Sequence, residues 1–178
     1  LRRAAIGVLR LLVETPLALD LKWLLAGAAE GLSDVVDARG AVDHVLAYVL
    51  ERLNGYYADQ GLGADVVEAV LAVGATAPSD IDRRIRAVAA FKAMPEAQAL
   101  AAANKRIRNI LRKSADEAGD TVAADAAYLV EAAERALAER LNIMQTEVAP
   151  LLERQDYAGM LRTLAGLRGD IDRFFDEV

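Results

Sequence analysis

The densest chemistry in the sequence is cationic. Lys105, Arg106, Arg108, Arg112 and Lys113 fall within one short stretch, interrupted by the amide Asn109. On a helix turning about 100° per residue, Lys105, Arg108 and Arg112 form one row, flanked by Arg106, Asn109 and Lys113. Guanidinium and ammonium groups donate to phosphate oxygens, whereas an amide both donates and accepts and so can read a base edge. Leu100, Ala103, Ile107, Ile110 and Leu111 gather on the other side, leaving one face for a core and one for an anion. Asn109 lies in the middle of the basic arc. Asn104 lies at the border of the apolar face, where an amide is expected to find a partner inside a bundle.

Arg83, Arg84 and Arg86 extend this pattern upstream. From residue 83 to residue 113 there are nine basic residues and one acid, Glu96, so the segment is +8 in a chain of net charge −6 and the remainder is −14. An acidic body that concentrates positive charge in one helical hairpin suits a polyanion. An ordinary solvated face and a membrane-surface helix are the competing readings of such a pattern. Tyr56 and Tyr57, with Gln60 nearby, could stack on unpaired bases, although core packing is the commoner use of such a pair. Trp23, set among leucines, is expected in the core.

Catalytic chemistry is poorly supplied. There is no cysteine and one histidine, His44, so thiolate or clustered-histidine metal sites and histidine-based triads have no material. The expectation is therefore no catalytic residue, no metal site and no bound cofactor in this chain. The pairs Asp80 with Asp82 and Asp170 with Asp172 read as helix-start or solvent-facing charges. The apolar stretches Ala4 to Val13 and Trp23 to Ala29 are far shorter than the roughly 20 residues that span a bilayer. Lack of cysteine fits a cytoplasmic protein.

The elements that must position these residues are helices. Hydrophobic residues make up 54% of the chain and aromatics only 5%, and the apolar excess is Ala, Leu and Val, the balance of packed helices. Turn and cap signals predict an all-α bundle of about eight helices. The first covers Arg2 to Glu14 before Pro16, and the second runs from Asp20 through Trp23 to Gly31. A third runs from Gly40 to Asp59, ending at Gly61, and a fourth from Asp65 to Val73, closed by Gly74. A fifth starts at Pro78, Ser79 and Asp80, and a sixth covers Glu96 to Lys113 after Pro95. Residues 114–120 read as a polar surface loop. A seventh helix is expected from Asp125 to Leu152 with an interruption near Pro150, and Asp156 caps an eighth that contains Gly159, Gly166 and Gly169.

Several stretches together resemble one family. They are LRRAAIGVLR at 1–10, RLNGYYADQG at 52–61, ADVVEAVL at 64–71, DRRIRAVAAF at 82–91 and, above all, AAANKRIRNILRK at 101–113. In order and spacing these are similar to the C-terminal, DALR-type anticodon-binding region of the bacterial glycyl-tRNA synthetase β subunit. The resemblance implies a helical bundle of the anticodon-binding type. It places residues 1–18 at the end of a preceding domain and residues 19–178 in the anticodon-binding domain, without the family's final helix. It implies tRNA(Gly) as a partner, contacted by the basic residues and tyrosines named above. It also implies an α subunit that carries the class II glycine-tRNA ligase site with ATP and Mg²⁺, in an α₂β₂ assembly. A helical protein-interaction bundle with a basic surface is the alternative.

Overall fold

The computed structural model describes residues 1–15, 17–114 and 128–178. Part of the loop expected after the sixth helix and the start of the seventh, at Asp125, lie outside the described residues. Among the described residues there are ten α-helices and no strand. They are α1 (Arg2–Glu14), α2 (Leu21–Gly31), α3 (Val42–Glu51), α4 (Leu53–Ala58), α5 (Ala64–Leu71), α6 (Pro78–Lys92), α7 (Pro95–Ser114), α8 (Ala132–Glu153), α9 (Tyr157–Ala165) and α10 (Arg168–Glu177). The chain divides into two compact units, Leu1–Ala89 and Ala90–Val178, with the boundary inside α6.

The first unit is built around a continuous apolar core. Ala5, Leu9 and Leu12 from α1 meet Leu21 from α2, Leu46 and Val49 from α3, Leu53 and Tyr57 from α4, Val66, Val67 and Val70 from α5, and Ile81 and Ile85 from α6. Within α1, α3, α4 and α6 these residues repeat at three or four, the spacing that keeps one helix face inward. Gly61 and Gly74 adopt φ of +78° and +79° after α4 and α5, as expected of glycines that close helices in the left-handed conformation. In the second unit α8 packs on α9 and α10, and α7 packs on α9 and α10. Its buried apolar residues are fewer, and α7 contributes only Ala97 to them.

Four expectations are corrected by the structure. The third helix divides at Arg52, whose N–H turns back to the Val49 carbonyl at 3.0 Å and tightens the chain for one residue. The helix expected to be interrupted near Pro150 runs through it unbroken to Glu153. Pro150 is exposed, and water can satisfy the carbonyl one turn back that a proline leaves free. The glycine-bearing last segment becomes two helices, parting at Gly166 and Leu167. Trp23 is not core but 68% exposed. It stands two residues from buried Leu21, about 200° around the helix, so leucine neighbours in sequence did not put it on their face.

The start of α2 is fixed from two directions. The Asp20 carboxylate accepts the Trp23 N–H at 2.8 Å and the Thr76 hydroxyl, while the Leu21 N–H donates to the Thr76 carbonyl at 3.0 Å. The Thr76 bond, and then the Trp23 bond, hold the Asp20 carboxyl below its ordinary value of 3.8. A carboxylate with a lowered folded pKa stabilises fully above its unfolded pKa and loses that contribution as pH falls through the folded value. Asp20→Ala is expected to cost about 0.5–2 kcal/mol near neutral pH. Urea denaturation of both proteins near neutral pH and below about pH 3 checks it: the gap should narrow in acid, and an unchanged gap would contradict the assignment.

Candidate nucleic-acid interface

Helix α7 has clear local causes. Pro95 occupies its first position, alanines fill its first half, and Arg112 and Lys113 sit in its last turn beside the negative end of the helix dipole. Lys105, Arg106, Arg108, Asn109, Arg112 and Lys113 are all exposed. Among the described residues, no ion pair engages Lys105, Arg108, Arg112 or Lys113. Ala102, Lys105, Arg106, Asn109, Ile110 and Lys113 line a shallow depression of about 400 Å³ along the helix. Asn109 therefore stands one turn from Lys105 on one side and Lys113 on the other.

The three arginines of α6 are in a different electrostatic state. Arg84 Nε lies 2.7 Å from Asp80, Arg83 lies 3.7 Å from the same carboxylate, and Arg86 Nε lies 2.9 Å from Asp82. Asp80 and Asp82 sit just before the +8 segment, so the sequence total credited α6 with charge that these two aspartates offset. The signal that finds this is the aspartate-to-arginine spacing of four, which joins side chains on one helix face. The helix-start reading holds for Asp80, in the first turn of α6; Asp82 lies beyond that turn and is an ion-pair partner.

Tyr57 and Tyr56 separate. Tyr57 is 0% exposed, and its hydroxyl donates to Asp82 at 2.9 Å. Burial, then the negative charge of Asp82, pushes the phenol pKa up. No face of this ring is open to a base. Tyr56 is half-buried, packs edge-on to Tyr57 with centroids 5.0 Å apart, and donates to Glu14 at 3.3 Å. Gln60 accepts from Arg86 at 3.1 Å, so Tyr57, Asp82, Arg86 and Gln60 form one connected network that ties the end of α4 to α6.

Several α7 residues differ from expectation. Asn104 is exposed rather than turned into the bundle. Ile107, Ile110 and Leu111, from the face expected in the core, are 39%, 48% and 49% exposed, because α9 and α10 cover the apolar side of α7 incompletely, so truncation of Ile107 would leave only a partial cavity. Phe175 was missed from sequence: the Arg106 guanidinium carbon lies 3.9 Å above its ring centroid. Among the described residues no group of three or more His, Cys, Asp or Glu could share a metal ion, and no helix is long and apolar enough to cross a membrane.

Comparison with known proteins bears on both units. Residues 1–72 match the family model described as glycyl-tRNA synthetase beta subunit, and residues 100–178 match the DALR anticodon binding domain. Over all 178 residues the chain is 48% identical to the glycine–tRNA ligase beta subunit of Pseudomonas aeruginosa strain UCBPP-PA14, covering 26% of that protein. Identity is also 48% to the glycine–tRNA ligase beta subunit of Shewanella putrefaciens, over the whole chain and 26% of the relative. It is 45% to that of Glaesserella parasuis, with the same coverage. The chain thus spans about a quarter of the length of these curated relatives.

The two tyrosines should respond differently to truncation. Tyr57→Ala is expected to lose about 3–5 kcal/mol of stability through a core cavity, with Asp82 left short of a donor. Tyr56→Ala is expected to lose clearly less. Chemical denaturation followed by far-UV circular dichroism checks both, and equal losses would contradict the placement of Tyr57 as the core member.

Proposed function

We propose, for a chain that belongs to the glycyl-tRNA synthetase beta-subunit family, that it binds tRNA(Gly) through the basic face of α7 and holds the anticodon region. The observation that carries this reading is the row of exposed cations without ion pairs among the described residues, lying inside the stretch similar to a DALR anticodon binding domain. A phosphate chain is repelled by an acidic body and attracted to this one face, which orients the RNA as it arrives. Arg83, Arg84 and Arg86 contribute less, because Asp80 and Asp82 already hold them. Tyr56 is the stacking candidate that remains.

On this reading the chain contributes no catalytic group of its own. Glycine activation with ATP and Mg²⁺ belongs to an α subunit, in an α₂β₂ glycine-tRNA ligase of the cytoplasm, and the β subunit positions the tRNA for it. Lys105 and Arg112 hold phosphates, and Asn109, between Lys105 and Lys113, reads a base edge.

Filter binding of the full-length protein to tRNA(Gly) and to an unrelated tRNA, at low and high salt, tests the division of labour. Lys105→Ala and Arg112→Ala should weaken both RNAs alike and flatten the salt dependence by about 0.7–0.9 in logarithmic slope for each phosphate no longer neutralised. Asn109→Ala should cost about 1–3 kcal/mol for tRNA(Gly) and little for the other RNA. Salt-independent affinity would remove α7 as the docking face, and full discrimination by the Asn109 variant would remove that amide as a reader.

A further inference from the structure

Arg106 differs from the other cations of α7 in standing over an aromatic ring among the described residues. Its guanidinium carbon stands 3.9 Å above the centre of the Phe175 ring, a stacking distance. Phe175 is itself half-buried and is braced by Phe174, whose ring meets it at 66° with centroids 5.4 Å apart. A guanidinium stacked in this way gives one π face to the ring and keeps its in-plane N–H donors for other partners. Among the described residues no hydrogen bond or ion pair takes those donors. They border the depression that Arg106 shares with Lys105, Asn109 and Lys113, and Arg106 lies about 60° around the helix from Asn109, one turn before it.

We propose that Arg106, held on Phe175, determines base specificity at this face by selecting an unpaired base that presents two adjacent acceptors on one edge. The fork donates only, so the partner edge must accept twice. Guanine does so through N7 and O6, and cytosine through O2 and N3. Adenine and uracil alternate donors with acceptors along their edges, and a donor-only fork there leaves one pairing unmade. Lys105, Arg108, Arg112 and Lys113 have no comparable brace and serve phosphates, which any orientation of a flexible cation can meet. Phe175 acts through Arg106 and is a positioning residue. This assignment rests on the reading of α7 as an RNA face.

The test uses the full-length protein with tRNA(Gly) transcripts in which each anticodon-loop base is replaced in turn by G, C, A and U. One loop position should favour G, C or both over A and U by roughly tenfold to a hundredfold, the range of one bidentate pair. The two arms at that position tell guanine from cytosine. Arg106→Lys, which keeps the charge and loses the fork, should level the preference while total affinity stays within a few fold. Phe175→Leu should also level it, and Phe175→Tyr, which restores a ring, should keep it. Retained preference in Arg106→Lys, with affinity still steeply salt-dependent, would overturn this proposal and leave the RNA face standing. Loss of salt dependence in the wild type, or no effect of Lys105→Ala with Arg112→Ala, would instead overturn the RNA face itself.

Discussion

Like charges repel along α7, and among the described residues no ion pair relieves Lys105, Arg108, Arg112 or Lys113. Lys105 with Arg108 and Arg108 with Arg112 are neighbours on one helix face, where each like-charged pair costs a few tenths of a kcal/mol. The helix carries that cost while burying little: Ala97 is its one buried residue, and its apolar side is only partly covered. Cations on a segment so weakly rewarded by packing fit the proposed role, in which a partner outside the chain supplies the counter-charge. The dipole at the end of α7 offsets part of the repulsion at Arg112 and Lys113, and a bound phosphate chain would offset the rest.

The first unit uses charge in the opposite way. Asp80 and Asp82 take up the α6 arginines, and Asp82 also receives the Tyr57 hydroxyl, so cations there are engaged in holding helices together. Lys22 is likewise paired, with Asp43 at 2.9 Å. The unit with the large core thus has its side-chain charges matched at these places. In the second unit Arg140, Arg168 and Arg173 are also paired, and among the described residues it is the α7 cations Lys105, Arg108, Arg112 and Lys113 that stand without an ion pair. That contrast between α6 and α7 supports the proposed use of α7 for RNA more sharply than net charge does.

Much of this was legible in the sequence, and the failures have identifiable causes. The bounds of α1, the Asp20 and Asp156 caps, the left-handed glycines Gly61 and Gly74, and the exposed basic row of α7 all follow from local rules, because each depends on residues within one or two turns. Trp23 was expected in the core and is exposed, because composition of the neighbourhood does not say which way a side chain points. The tightening at Arg52 and the passage through Pro150 reflect how neighbouring elements and water accommodate the chain. The pairing of the α6 arginines was available from the spacing of four but was hidden by summing charge over a window that began after Asp80 and Asp82. Phe175 lies 69 residues from Arg106, and no local pattern joins them.

Everything proposed for this chain depends on α7, rather than its other cations, receiving the RNA. The chain has four lysines, Lys22, Lys92, Lys105 and Lys113, which makes lysine-acetylation footprinting of the full-length protein, with and without saturating tRNA(Gly), the most direct measurement. Lys105 and Lys113 are expected to lose reactivity when tRNA is added, and Lys22 to keep its own. Unchanged reactivity at Lys105 and Lys113 under saturation would contradict α7 as the RNA face.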